Sequence, residues 1–172
     1  VFAVHGSLEA IVTEPSPQQI IAGVHRSAAS LAALRWAAAE ARLRRAKLHV
    51  VHAWEPAVRR ASYAILGDGA ASGQERLRAQ SVLAAVMRGV YGSEIPPGTT
   101  AELAEGTAER VLVQRSTEAS LLVLGAAGAH LAGRPAGPVI RACMRSARCP
   151  LVIITATADA LPPVVNTPVA VS

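Results

Sequence analysis

The feature that most limits this chain's fold is an alternation of short apolar runs with longer segments of helical period. Ile20-Ile21-Ala22-Gly23-Val24, Leu121-Leu122-Val123-Leu124 and Leu151-Val152-Ile153-Ile154 are too short for buried helices. Continuous apolar runs of that length fit strands covered on both faces. Leu48–Trp54 reads as a second strand. Thr99–Ala104 is weaker and belongs nearer a sheet edge. Between the runs, Leu31, Leu34, Ala38 and Ala41 form a stripe on a helix over Ala28–Arg45, with Ser27 at its N-cap. Leu83, Val86, Met87 and Val90 place a second helix over Gln74–Val90. Thr107 caps a short helix over Ala108–Ser116. Ile140, Cys143, Met144 and Ala147 mark the apolar face of another. Glu55–Ser72 contains Pro56 and Gly67-Asp68-Gly69, which suits a long connection, and Pro96-Pro97-Gly98 breaks the chain before the third strand.

The order is therefore βαβαβαβαβ. Strands joined by helices of this length need right-handed crossovers, which gives a parallel sheet with helices on both faces. The expected class is α/β, an open parallel sheet; if it takes the flavodoxin-like, Rossmann-like arrangement, its five strands lie in order 3-2-1-4-5. In such sheets ligands bind at the carboxyl ends of the strands, where the order reverses. Here that switch lies between the first and fourth strands. The loops His25–Ser27 and Gly125–Gly137 should then face each other across one crevice.

At 172 residues the chain suits one domain with tails. Residues 1–18 end in Glu14-Pro15-Ser16-Pro17 and read as a tail. Residues 19–155 form the domain. Residues 156–172, with Pro162, Pro163 and Pro168, read as a second tail or a linker. Of 17 basic residues only Lys47 is a lysine, which points to coding bias more than to a nucleic-acid footprint. Arg42, Arg44 and Arg45 cluster where cations oppose the negative end of the first helix dipole. No aromatic platform accompanies them, so no nucleic-acid partner is expected. Two cysteines make neither a disulfide framework nor a four-ligand zinc site. Cys143 and Cys149 read as core packing. No apolar run reaches the roughly 20 residues of a membrane span, and the first residues lack the basic region of a secretory signal. The expectation is a cytoplasmic protein with no membrane partner. His25, His52 and His130 each lie at or after a strand end, but their spacing demands no metal. The chain has no Gly-x-x-x-x-Gly-Lys loop, Gly-x-Ser-x-Gly elbow or His-Glu-x-x-His pair, and no catalytic residue is assigned.

Three stretches carry a family resemblance: IIAGVHRSAASLAALRWAAAEARLRRAKLHVVHAWEP, EGTAERVLVQRSTEASLLVLGAAG and RACMRSARCPLVII. Over roughly residues 19–155 the chain resembles a universal stress protein domain. The resemblance implies a regulatory stress-response role, dimerisation through the last strand, and at most weak ATPase activity. Members with the full glycine hallmark after the fourth strand bind ATP in the crevice, and those without it often do not. Some members occur as tandem pairs.

This sequence departs from the ATP-binding pattern at three places. The aspartate usual after the first strand is His25, followed by Arg26 in place of glycine. Gly125-Ala126-Ala127-Gly128 keeps the paired glycines, but Gly137 follows after eight residues, one fewer than usual. The serine or threonine after that glycine is Pro138, which brings neither an N–H nor a hydroxyl to a phosphate. The expected protein is thus a non-enzymatic interaction module, a homodimer in the family's manner, with a degenerate adenine-nucleotide crevice. The alternative is a regulator that still binds ATP or another adenine nucleotide. In that case Gly125, Gly128 and Gly137 would admit phosphate, Arg134 would restore positive charge, Ala53 would contact adenine through its backbone, and Gly23, Val24 and His25 would line the sugar.

Overall fold

A computed structural model of the chain describes residues 18–56, 69–127 and 136–156. Its elements are β1 (Gln19–Gly23), α1 (Ala28–Arg44), β2 (Lys47–Trp54), α2 (Gly69–Tyr91), β3 (Thr99–Glu105), α3 (Ala108–Arg115), β4 (Leu121–Ala127), α4 (Pro138–Ser146) and β5 (Leu151–Ala156). The five strands are all parallel and lie in the order β3-β2-β1-β4-β5. The expected fold class is therefore observed, with the weaker strand β3 at an edge. Most of the two expected tails, residues 1–17 and 157–172, lies outside the described residues.

Side chains alternate across the sheet because the strand period is two. Ile20, Ala22, Leu48, Val50, Leu121 and Val123 turn to one face and pack with α1 and α2. Ile21, Val51, Leu122 and Leu124 turn to the other and pack with α3 and α4. Burial on both faces explains why the strands read as continuous apolar runs. Each fully buried Ile, Leu or Val contributes about 1.5–3 kcal/mol.

The helices are bounded as the side chains dictate. Ser27 caps α1 by accepting from the Ser30 N–H at 3.1 Å, and Thr107 caps α3 by accepting from the Arg110 N–H at 3.3 Å. Two expectations need correction. The long connection ends sooner than expected, since Gly69–Ser72 already belong to α2. Met144 does not share the buried stripe of α4: it is 65% exposed while Ile140 and Cys143 are buried. It follows Cys143 by one residue, about 100° around the helix, which carries it off the core-facing side.

Candidate functional site

At the carboxyl ends of β1 and β4 lies a crevice of about 330 Å³. Six of the eight residues singled out from sequence line it: Gly23, Val24, His25, Ala53, Gly125 and Gly137. The other two, Gly128 and Arg134, fall outside the described residues, as does His130.

The β1–α1 loop is tightly tied. The Val24 N–H donates to the Val51 carbonyl at 2.9 Å, and the Ser27 N–H to the His25 carbonyl at 2.9 Å. The His25 N–H donates to Ser30 Oγ at 2.8 Å, and Ser30 is almost wholly buried. His52 Nδ1–H donates to the Val24 carbonyl at 2.8 Å, which leaves Nε2 of the neutral ring as an acceptor. Burial, and then the nearby His52, push the His25 pKa below its usual 6.5. The position that usually carries aspartate thus holds a largely neutral imidazole at neutral pH.

The two glycines at the strand ends are explained by packing. A β-carbon on Gly23 would sit 2.6 Å from Leu124 Cδ2 and 2.9 Å from Leu112 Cδ2. On Gly125 it would sit 2.6 Å from the Ser30 amide nitrogen and closer still to the Ala29 carbonyl. Gly125 therefore lets α1 approach β4, whether or not a ligand is bound.

Gly137 is different. It has an ordinary φ of −56°, and a β-carbon there would meet nothing within 4 Å among the described residues. Neither backbone conformation nor packing against the described residues calls for glycine. Gly137 is the N-cap of α4 and supplies no side-chain hydrogen bond, with Pro138 at the first turn. The first backbone bond of that helix runs from the Arg141 N–H to the Gly137 carbonyl, 3.0 Å. The Val139 and Ile140 N–H groups precede it and have no intrahelical acceptor. Pro138 thus removes one donor from this helix end and leaves two, which together with the helix dipole favour an anion. Ile140 turns its side chain into the core beside Cys143.

Sequence reasoning missed the crevice wall supplied by α3. Ala108 and Leu112 reach in from the other layer. Their spacing of four residues marks one helix face, but only the packed sheet shows which strand ends that face covers. His52 was noted as a strand-end histidine without its bond to Val24. Among the described residues, no group of three or more His, Cys, Asp or Glu is placed to hold a metal. No helix there is long and apolar enough to cross a membrane. Cys143 and Cys149 are free thiols. Both pack against the core cluster under the sheet.

A doubly wound parallel sheet with a crevice at its switch point defines the class: a Rossmann-like α/β domain. Comparison with known proteins narrows the class. The model of the universal stress protein family matches residues 17–155, and the chain belongs to that family. A universal stress protein of Mycobacterium tuberculosis (strain ATCC 25618 / H37Rv) is 33% identical over 139 residues, which are 78% of this chain and 46% of the relative. The chain thus spans about half the length of the curated relatives it matches.

Solved structures share the fold. The universal stress protein from Archaeoglobus fulgidus in complex with dAMP is 22% identical, with a TM-score of 0.54 over 81% of this chain and 98% of that one. An Arabidopsis thaliana family protein with AMP bound is 19% identical, with a TM-score of 0.53 over 85% of this chain and 97% of that one.

Proposed function

We propose that this chain is a non-enzymatic regulatory module of the stress response whose crevice takes the nucleoside end of an adenine nucleotide and grips its phosphates weakly. Gly137 carries the reading. Among the described residues it is a glycine with no steric or conformational need for being one, at a helix end with two N–H donors that lack intrahelical acceptors, lining the crevice. Close approach by a ligand is the remaining reason for a bare backbone there. The complexes of fold relatives with AMP and dAMP support the ligand class.

In this reading Ala53 meets the base through its backbone, and Gly23, Val24 and His25 line the sugar. The phosphate end has lost the hydroxyl and one N–H at Pro138, and His25 offers no carboxylate to share a metal. Binding then exceeds simple nucleoside affinity only modestly, and no hydrolytic step follows. The module acts in the cytoplasm, through protein partners and as a homodimer formed along β5. That strand is apolar and pairs with β4 at the sheet's edge, and an open edge of this kind invites a second copy.

Calorimetric titration of nucleotide-stripped protein with adenosine, AMP and MgATP tests the reading. We expect saturable binding of AMP, a gain of less than about tenfold for MgATP, and loss of binding in Gly137→Val without loss of fold. MgATP binding about a hundredfold tighter than AMP would show an intact phosphate site and favour the ATP-binding alternative. No heat and no change in melting temperature at millimolar ligand would leave an interaction module with a vestigial crevice. A monomer in sedimentation at micromolar concentration would remove the dimer.

A further inference from the structure

A second cavity, of about 970 Å³, opens at the amino ends of the strands, opposite the nucleotide crevice and sharing no lining residue with it. It lies between the carboxyl-terminal ends of α1 and α2. Its walls are apolar where Leu48 and Val90 contribute, and Ile95 stands half exposed beside them. Its other lining is cationic: Arg35, Arg42, Arg45 and Lys47 against one carboxylate, Glu94.

The ordinary reasons for surface cations do not cover this set. Arg44, outside the cavity, is neutralised by Glu40, with Nε donating to Oε1 at 2.6 Å. Arg42, Arg45 and Lys47 have no ion pair among the described residues. The α1 dipole favours a cation at Arg42. It does not account for Arg35, more than two turns back, or for Lys47 in β2. Arg35 spans the cavity, donating from Nη2 to the Gly89 carbonyl at 3.2 Å, and so braces α1 against α2.

Arg45 is the stronger anomaly. At φ 54° and ψ 34° it caps α1 in the left-handed region, and it is the only non-glycine residue with positive φ among the described residues. That position ordinarily goes to glycine. Here a strained conformation is kept with a long cation turned to the cavity. In the same wall the Tyr91 hydroxyl is buried beside the Thr99 side chain without a well-formed hydrogen bond among the described residues, and burial, outweighing Thr99, pushes the phenol pKa up. The two helix ends meeting here each contribute roughly half a negative charge. With Glu94 they offset about two of the four cations and leave an excess of about two positive charges.

The geometry points to this cavity as a binding site for a small amphiphilic anion: a phosphate, sulfate or carboxylate carried on a flat apolar body. The charged head meets Arg42, Arg45 and Lys47, and the body covers Leu48, Val90 and Ile95. The volume is that of a small-molecule site. Nothing in this assignment depends on the nucleotide crevice being competent.

Titration of isotope-labelled protein with phenyl phosphate, followed by amide chemical shifts, tests it. Inorganic phosphate and phenol serve as the two fragments of the probe. Saturable shifts are expected over residues 42–48 and 90–98, at lower concentration for phenyl phosphate than for either fragment. Arg45→Gly removes the cation and relieves the left-handed strain. We expect it to melt no lower than wild type and to bind phenyl phosphate about tenfold more weakly. The proposal is overturned by shifts confined to residues 23–27 and 136–140, by no saturation at millimolar probe, by equal affinity for inorganic phosphate, or by unchanged affinity in Arg45→Gly.

Discussion

Replacing Gly125 by alanine sets a new β-carbon 2.6 Å from the Ser30 amide nitrogen and nearer still to the Ala29 carbonyl. Real β-carbons essentially never come within 3.0 Å of such atoms, and both neighbours are backbone, so no rotamer change relieves the contact. The whole of α1 must move off β4. That shift loosens Ala29 and Ala33, both buried, and disturbs the Ser30 hydroxyl that holds His25 in place. Overpacking on this scale costs about 3 kcal/mol, out of the roughly 5–15 kcal/mol that separates a domain of this size from its unfolded state. At about 2–4 °C per kcal/mol for this size, the melting temperature falls by roughly 6–12 °C.

Gly137→Ala is the matched control. Its φ is ordinary and the space around it is open. Loss of unfolded-state freedom stabilises by about 0.4–1 kcal/mol, and alanine's poor N-cap preference takes back a similar amount. The net change is within about 0.5 kcal/mol. Urea unfolding followed by circular dichroism measures both. Equal losses in the two variants, or a Gly125→Ala change under about 1 kcal/mol, would refute the division into one packing glycine and one site glycine.

Three further outcomes follow from the titratable groups. Glu102 accepts from Arg115 Nε at 2.9 Å and lies 2.7 Å from His49 Nε2; the Arg115 bond is the main cause of its pKa falling from 4.5 to about 2. Its stabilisation is complete above pH 4.5 and is lost as pH falls toward 2; with the side chain 26% exposed, screening leaves about 1–2 kcal/mol. Wild type and Glu102→Gln should therefore converge in urea midpoint between pH 5 and pH 2.5, and parallel curves across that range would contradict the account. His25 should titrate below 6.5 by proton-detected NMR, and His52→Gln should raise its midpoint by removing the second cause of its shift. Because the folded state favours the neutral ring, the stability it contributes is present above pH 6.5 and declines as pH drops through the folded-state value; a midpoint at or above 6.5 would show the ring to be solvated. Cys143 is 1% exposed, and its thiol is pushed up to about 11, chiefly by burial; it should react with a thiol-specific disulfide reagent at pH 8 only after unfolding, and rapid native reaction would be incompatible with that burial.

Much of the fold was readable because it follows from two periods. Apolar runs of four or five residues demanded strands covered on both faces, and the stripes at Leu34 and Ala41 or Val86 and Met87 demanded helices to cover them. Parallel strands then followed from crossover handedness, and the crevice position from a flavodoxin-like strand order. The misreadings came where local composition and tertiary position disagree. Gly69–Ser72 looks like loop but is helical, and apolar Met144 fell on the solvent side of α4.

The sequence by itself determined the class and the alternation of strands and helices, since hydrophobic periodicity and chain connectivity are local or topological properties. Only the tertiary structure decided what the individual residues at those loops are for. It separated Gly125, held by contact with α1, from Gly137, whose β-carbon position meets no described residue. It brought Leu112 of α3 over Gly23 of β1, and it set Arg45 in a left-handed turn beside Lys47 and Tyr91. Those distinctions depend on which atoms from distant parts of the chain come within a few ångströms of one another. Short-range excluded volume and charge act over that distance, and no spacing along the sequence encodes it.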